Sequence, residues 1–201
     1  MLADVQRMAT PELTRIYGQF GVYLRPSSDI STDLSGNMLA NVISLHRHGK
    51  LLDGRLRCQD HQLPFGSCSL SLVYALFMLE SSPRPAELML EIARCLKPEG
   101  VLLLIGFNPW SPARLPGRWG VELRSGAADE RLARSAGLEL LRCQHLGPFW
   151  SSAANSDPRG SSWLDRFRAA RLLVLRRRES ALTPLRKASP AVSLRPGMSA
   201  G

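Results

Sequence analysis

The sequence predicts an α/β protein built on a mostly parallel sheet. Two continuous apolar runs of strand length, Leu70–Leu76 and residues 101–107, flank a segment with helical periodicity. Continuous apolar strands are typical of parallel sheets that are covered by helices on both faces. With 201 residues, 44% of them hydrophobic, the chain has the size of one ordinary domain. We therefore predict a single domain over residues 1–186 and a disordered tail over residues 187–201.

The first third of the chain predicts a shortened half of that sheet. Residues 20–24, 40–45 and 54–58 are candidate strands. Apolar residues with helical spacing are not visible between them, although parallel strands are usually joined through a helix. We therefore expect an irregular version of the sheet's other half in this region.

The middle of the chain predicts a β-α-β unit. The strand Leu70–Leu76 is followed by turn-forming residues at 81–83, and residues 85–96 then carry apolar side chains at helical spacing. Pro85 suits the first turn of a helix, and Gly100 lies just past its end. The apolar run that follows completes the unit as its second strand.

The last part of the chain predicts one more helix and two strands. Residues 127–136 can form a helix that Gly137 ends, and residues 138–144 and 171–175 are candidate strands. The stretch 147–162 between these strands is dense in Ser, Pro, Gly and Asn, which is typical of a loop.

The net charge of +9 is concentrated at the end of the chain. Residues 164–201 contain nine basic and two acidic side chains, whereas the rest of the chain is nearly balanced. Clustered arginines can bind phosphate backbones, but they also suit the solvated rim of a helix and a strand. Nucleic acid is therefore the least favoured partner, and any electrostatic partner is expected at this end.

Patterns typical of metal, redox and membrane proteins are missing from the sequence. The four cysteines form no C-x-x-C pair, so we expect free thiols and a cytoplasmic protein. His46 and His48 have no third ligand at a suitable spacing, so we predict no metal site. The longest apolar run, residues 72–79, is far shorter than a membrane span, and no membrane partner is expected.

One segment of the chain combines Leu63-Pro64-Phe65, the strand within SLSLVYALFMLE, and a helix that ends in Arg-Cys-Leu-Lys-Pro-Glu-Gly. Over residues 63–112 this pattern resembles class I S-adenosylmethionine-dependent methyltransferases of the methyltransferase type 11 group. The resemblance implies a Rossmann-like sheet with an antiparallel C-terminal hairpin, S-adenosylmethionine as the cofactor, and methyl transfer as the activity. In such a reaction the enzyme chiefly aligns donor and acceptor in a dry pocket.

The resemblance also implies which residues bind the cofactor. Gln59 stands where the family often has an aspartate that binds the adenine amino group, and Asp60 takes that place if the register shifts by one. Leu76 and Phe77 stand where the family lays an apolar wall and backbone amides against the adenine, although both also suit a core. The resemblance implies no catalytic residue.

Two cofactor features of the family have no counterpart in the first third of this chain. The glycine-rich turn after the first strand is missing, since residues 24–26 read Leu-Arg-Pro. The acid that ends the second strand and binds the ribose is missing too, because residues 40–45 are followed by His46, Arg47 and His48. The N-terminal cofactor motif is therefore degenerate.

Three hypotheses about function follow from the sequence. The first is a methyltransferase for a small-molecule acceptor. The second is a catalytically inactive methyltransferase-fold protein that binds or regulates, and the third is a nucleic-acid methyltransferase that uses the basic C-terminal segment. Asn108-Pro109-Trp110 resembles the Asn-Pro-Pro-Tyr motif of amino-methylating enzymes but follows a different strand, so we expect it to shape the loop on the acceptor side.

Overall fold

The computed structural model describes residues 2–111, 124–147 and 167–178. The predicted loop at residues 147–162, except Gly147, and the predicted tail at residues 187–201 lie outside these ranges. The end of the predicted domain at residue 186 lies outside them as well, so this boundary stays a prediction.

Eight strands form one sheet. Their bounds are Tyr17–Arg25 (β1), Met38–His48 (β2), Leu51–Gly54 (β3), Cys58–Gln59 (β4), Leu70–Leu76 (β5), Leu96–Phe107 (β6), Leu138–Leu146 (β7) and Ala170–Arg177 (β8). Their order across the sheet is β4-β3-β2-β1-β5-β6-β8-β7.

The core of the sheet is parallel and both of its ends are antiparallel. β1 pairs in parallel with β2 and with β5, and β5 pairs in parallel with β6. β8 runs antiparallel to both β6 and β7, while β3 and β4 add short antiparallel strands beyond β2. The predicted α/β fold with a C-terminal antiparallel hairpin is confirmed.

Four helices lie in the described residues, with bounds Leu2–Leu13 (α1), Met78–Ser81 (α2), Pro85–Cys95 (α3) and Gly126–Ser135 (α4). None of these four is long and apolar enough to cross a membrane. The sequence reasoning missed α1, which buries Val5, Ala9 and Leu13. Their spacing of four residues places them on one face of the helix, and this spacing was the available signal.

The two faces of the sheet carry separate hydrophobic clusters. Along β6, Leu102 and Leu104 belong to the cluster under α3, whereas Leu103 and Ile105 belong to the cluster under α1. Successive side chains of a strand point to opposite faces. Both faces of the central strands are therefore buried, which explains why their sequences are continuously apolar.

The first half of the sheet is short of helices, as predicted. Residues 26–37 connect the parallel strands β1 and β2 without a helix. On the outer part of these strands Tyr17 and Phe20 stay exposed. The shortened half therefore lacks part of the cover that helices give to the other half.

The predicted strand at residues 54–58 is wrong. The chain instead forms the short strands β3 and β4, and residues 55–57 between them lie exposed outside both. Gly54, the last residue of β3, pairs with Leu45 of β2, and an added Cβ there would lie 2.5 Å from the carbonyl oxygen of Ser44. Arg57 then lies 2.8 Å from Asp53, across the bend that separates β3 from β4.

Candidate functional site

The carboxyl ends of the parallel strands form the edge at which doubly wound sheets bind their ligands. The chain proceeds outward from β1 to β2 on one side and from β5 to β6 on the other. The topological switch point therefore lies between β1 and β5. Arg25 ends β1 and Leu76 ends β5, so these residues mark the centre of the candidate site.

Arg25 fills the turn that follows β1. Its side chain is buried, and its Nη1 donates hydrogen bonds to the carbonyl oxygens of Ser28, at 3.5 Å, and Ile30. The guanidinium carbon lies 5.8 Å from the ring centroid of Tyr23, which is within cation–π range. The turn after β1 therefore packs around a buried cation, and residues 26–30 of this turn include no glycine.

A buried ion pair lies beyond the end of β1, between β2 and the entry to α3. Arg47 Nη1 lies 2.5 Å from Asp60 Oδ1, and the two side chains are only 7% and 3% exposed. The hydroxyl group of Ser82, which precedes α3, donates a hydrogen bond to Asp60 Oδ2. Both carboxylate oxygens of Asp60 are thus bonded within the protein.

Gln59 lies in a different environment from its neighbour Asp60. It is in β4, the outermost strand of this half-sheet, where it pairs with Leu51. Its side chain is exposed, whereas Asp60 is buried. The structure therefore does not bring these two predicted cofactor-binding residues to one surface.

Leu76 and Phe77 are fully packed at the end of β5. They are 0% and 1% exposed, and the Phe77 ring stacks on Phe107 with centroids 3.9 Å apart. Phe77 has a left-handed backbone, with φ of 50°, which is strained for a bulky residue. Its N–H donates to the carbonyl oxygen of Ile105 at 2.7 Å, so β6 holds this turn in place.

A buried carboxyl group lies behind this turn. Glu80 is 3% exposed, and its Oε1 accepts a hydrogen bond from the backbone N–H of Phe107 at 2.7 Å. Burial raises the pKa of Glu80 to about 7. Gly106 permits this close approach, since an added Cβ there would lie 2.7 Å from the same oxygen.

Asp129 in α4 forms ion pairs with two arginines next to the carboxyl group of Glu80. Arg171 Nη2 lies 2.8 Å from Asp129 Oδ2, and Arg124 Nε lies 2.9 Å from Asp129 Oδ1. Asp129 is 1% exposed, and burial raises its pKa despite the two arginines. The three side chains carry two positive charges and one negative charge.

A cleft of about 600 Å³ opens between α4 and the β7–β8 hairpin, at the end of β6. Polar and apolar groups converge in it, among them Asn108, Trp110, Phe167, Arg171 and His145. Its size is that of small-molecule sites, which are mostly apolar and carry a few placed polar groups. The cleft is therefore the candidate binding site in the described part of the chain.

Asn108 has a structural role at the mouth of this cleft. Its Nδ2 donates to the carbonyl oxygen of Arg168 at 2.8 Å, and its Oδ1 accepts from the N–H of Trp110 at 3.2 Å. These contacts agree with the expectation that Asn108-Pro109-Trp110 shapes a loop. Trp110 itself is 76% exposed.

The sheet order, with its switch point and final hairpin, defines the class I methyltransferase fold. Solved structures of methyltransferases have a similar fold. One of them is a putative methyltransferase of Haloferax volcanii, solved in complex with the Trm112 methyltransferase activator. It is 16% identical in sequence, the match covers 88% of this chain and 90% of that chain, and the TM-score is 0.58. An S-adenosylmethionine-dependent methyltransferase of Mesorhizobium loti matches at 17% identity, covering 86% and 100%, with a TM-score of 0.57.

A comparison of the sequence with protein families also matches a methyltransferase. Residues 17–104 match a family described as a methyltransferase domain, which confirms the resemblance to class I methyltransferases of the type 11 group. A comparison with curated proteins finds no match. The fold is also similar to that of SpnF, described as a 4+2 cyclase, at 13% identity, covering 86% of this chain and 80% of that chain, with a TM-score of 0.51.

The family implies S-adenosylmethionine as the cofactor, and the described residues do not fit it in the family's manner. The buried guanidinium of Arg25 stands where the family has its glycine turn, and a fixed cation there repels a sulfonium cation. Both oxygens of Asp60 are bonded to Arg47 and Ser82. Phe77 packs against Phe107, which leaves its ring no free face on that side.

Sequence reasoning missed the buried charged groups of this edge. Glu80, Asp129 and Arg171 were not predicted as site residues, because single charged residues within helices and strands usually face solvent. Gly106 was the available signal. A glycine inside an apolar strand often marks a close approach by another group, and here Glu80 makes that approach.

Proposed function

We propose that this chain is a catalytically inactive methyltransferase-fold protein that binds a small molecule. The observation that carries the proposal is the placement of Arg25. Its buried guanidinium is bonded to the Ser28 and Ile30 carbonyl oxygens of the turn that in the family lies against the methionine part of the cofactor. A buried cation costs free energy unless it stays paired or hydrogen-bonded, so displacing Arg25 to admit a second cation is unfavourable.

Two further observations support the proposal. The cleft between α4 and the β7–β8 hairpin is large enough for a small ligand, and it lies to the side of the switch point, away from Arg25. The fold is also compatible with reactions other than methyl transfer, since SpnF, which has a similar structure, is described as a cyclase. Function depends on the site that a fold presents, and the same fold hosts many activities.

The first test is a titration with S-adenosylmethionine and S-adenosylhomocysteine. We expect no change in melting temperature and no heat of binding at millimolar concentrations of either compound. A ligand at 100 times its dissociation constant would add about 2.7 kcal/mol of stability, which raises the melting temperature of a protein of this size by roughly 5 to 11 °C. A saturable shift of several degrees would overturn the proposal.

The second candidate function is an S-adenosylmethionine-dependent methyltransferase with a small-molecule acceptor. The family match over residues 17–104 favours it, as does the cleft beside Asn108. Under this alternative, Gln59, Asp60, Leu76 and Phe77 bind the cofactor. It requires a thermal shift with S-adenosylmethionine that Gln59→Ala reduces, since Gln59 is exposed and its replacement leaves the fold unchanged.

The basic C-terminal segment gives little support to a nucleic-acid function. Arg171 pairs with Asp129, Arg176 lies 2.9 Å from Glu99, and Arg177 Nη1 donates to the carbonyl oxygen of Leu96 at 2.5 Å. Arginines that are already paired release few counterions on binding phosphate. In the described residues, these side chains stabilise the end of the sheet.

A further inference from the structure

We propose that the cleft between α4 and the β7–β8 hairpin binds an uncharged aromatic molecule with a planar ring system, packed against the indole ring of Trp110 and the leucines of the hairpin. This inference deepens the proposed function and rests on it only in taking the chain as a small-molecule binder. It names the class of ligand and the residues that contact it.

The arginine that lines this cleft is already paired. Arg171 Nη2 lies 2.8 Å from Asp129 Oδ2, and Arg171 is only 7% exposed. Its guanidinium also lies against the amino-terminal end of α4, since an added Cβ at Gly126 would lie 2.5 Å from Nη1 and 2.7 Å from Cζ. Neither this arginine nor the end of the helix is therefore open to an ionic ligand.

Two further polar side chains of the cleft are bonded within the protein as well. Arg134 Nη2 lies 2.5 Å from Glu130 Oε1, across one turn of α4. The amide group of Asn108 donates to the carbonyl oxygen of Arg168 and accepts from the backbone N–H of Trp110. A charged ligand would leave water without gaining an ion pair from these groups, which costs free energy. The cleft therefore favours an uncharged molecule.

The walls of the cleft are mostly apolar. Leu173 of β8 is buried and Leu140 of β7 is half-buried. Both pack in the hydrophobic cluster on the face of the sheet that α4 covers, and Ala127 lines the cleft from α4 itself. An apolar ligand between these walls removes its own surface and theirs from water, which is the main driving force for such binding.

An exposed tryptophan marks one side of the cleft. Trp110 lines it and is 76% exposed, more than any other large apolar side chain among the described residues. Phe167 lines the cleft as well. Aromatic rings that pack on each other in offset or edge contacts gain more than the area they bury, so a planar aromatic ligand uses this surface better than an aliphatic one. The volume of about 600 Å³ admits a molecule of about two or three fused rings.

The probe is 2-naphthol, studied by calorimetry and thermal shift on the full chain. It is compared with 2-naphthoate and 2-naphthylmethylamine, which carry the same rings with a negative and a positive charge. We expect saturable binding of 2-naphthol and binding of each charged analogue that is about tenfold weaker or worse, because a charge in the cleft is desolvated without a new ion pair. Absence of saturable binding of 2-naphthol, or equal affinity for either charged analogue, would overturn the inference.

Trp110→Ala tests the ring contact without touching the buried charges. Trp110 is exposed, so its replacement leaves the fold intact. We expect the affinity for 2-naphthol to fall about tenfold in Trp110→Ala and about threefold or less in Trp110→Phe, which keeps an aromatic ring. Tyr17→Ala, which removes a ring 70% exposed on β1, is the matched control and leaves the affinity unchanged. Equal affinity in Trp110→Ala and the parent protein contradicts the placement of the ligand.

Cys143 reports on the location of the ligand. It lines the cleft from β7 and is an exposed free cysteine, whereas the exposed free cysteine Cys68, just before β5, does not line the cleft. We expect saturating 2-naphthol to slow the alkylation of Cys143 by N-ethylmaleimide several-fold and to leave the alkylation of Cys68 unchanged. Mass spectrometry of the two peptides measures both rates. Alkylation of Cys143 at the same rate with and without the ligand would show that 2-naphthol binds elsewhere, and the assignment of the cleft would fail.

The outcomes separate this inference from the proposed function. A thermal response to S-adenosylmethionine overturns the proposed function whether or not 2-naphthol binds. Failure of 2-naphthol to bind, with no response to S-adenosylmethionine, overturns the ligand assignment alone and leaves catalytic inactivity standing.

Discussion

Asp60→Ala is expected to lower the free energy of unfolding by about 3–5 kcal/mol, because removing one partner of a buried ion pair leaves the other charge uncompensated. Arg47 and Asp60 are 7% and 3% exposed, and Arg47 already has Nε and Nη2 without hydrogen-bond partners among the described residues. The loss would lower the melting temperature by roughly 6–20 °C. Urea unfolding and calorimetry measure both quantities.

Gln59→Ala is the control for this prediction. Gln59 is the sequence neighbour of Asp60 but lies exposed on β4, and surface changes of this kind usually stay within about 0.5 kcal/mol. A loss of less than 1 kcal/mol in Asp60→Ala would show that the pair with Arg47 contributes little. The carboxylate would then be available for a ligand, as the resemblance to methyltransferases implies.

The central part of the fold could be predicted from the sequence because local and global signals agree there. Leu70–Leu76 has the predicted bounds, and α3 begins at Pro85 as predicted. Apolar runs bounded by Pro and Gly leave few alternatives, and burial on both faces makes the pattern strong. The same reasoning placed the helix that ends before Gly137.

The first third could be predicted only in outline, because its structure depends on contacts that the sequence does not encode locally. β1 and β2 are joined by residues 26–37, which form no helix and close on the buried guanidinium of Arg25. No spacing rule identifies an arginine that folds back on its own turn. Gly54 likewise lies close to the neighbouring strand β2, a contact that is defined only in three dimensions.

The sequence placed the four predicted cofactor-binding residues near one edge of the sheet, but it did not predict how they are packed there. Leu76 and Phe77 do lie at the end of β5, beside the switch point, but as packed residues. Gln59 and Asp60 are adjacent in sequence yet differ in burial, because β4 ends between them. Whether any of the four contacts a cofactor stays a prediction, and the titrations above test it.

Glu80 gives the stability of this protein a predictable dependence on pH. Its carboxyl group is 3% exposed, and burial raises its pKa from 4.5 to about 7. Between these two values the unfolded chain has released the proton and the folded chain still binds it. Stability therefore falls as pH rises through this range, since the folded state binds more protons. Below pH 4.5 Glu80 no longer changes the free energy of unfolding with pH, and above pH 7 its ionised, buried carboxylate lowers that free energy by a constant amount.

Glu80→Gln should remove this dependence. Glutamine is neutral at every pH, and its side-chain oxygen can still accept the hydrogen bond from Phe107 that Glu80 Oε1 now accepts at 2.7 Å. Since each unit of pKa shift corresponds to 1.36 kcal/mol, the difference in unfolding free energy between variant and parent should grow by about 3 kcal/mol from pH 4 to pH 8, in favour of the variant. Urea unfolding across this range measures the difference, and subtraction cancels the titration of other groups. Glu87→Gln, which removes a half-exposed carboxylate beside Arg84 on α3, is the matched control. Parallel curves for Glu80→Gln and the parent would mean that the carboxyl group of Glu80 is ionised in the folded protein near its ordinary pKa, and that burial does not hold its proton.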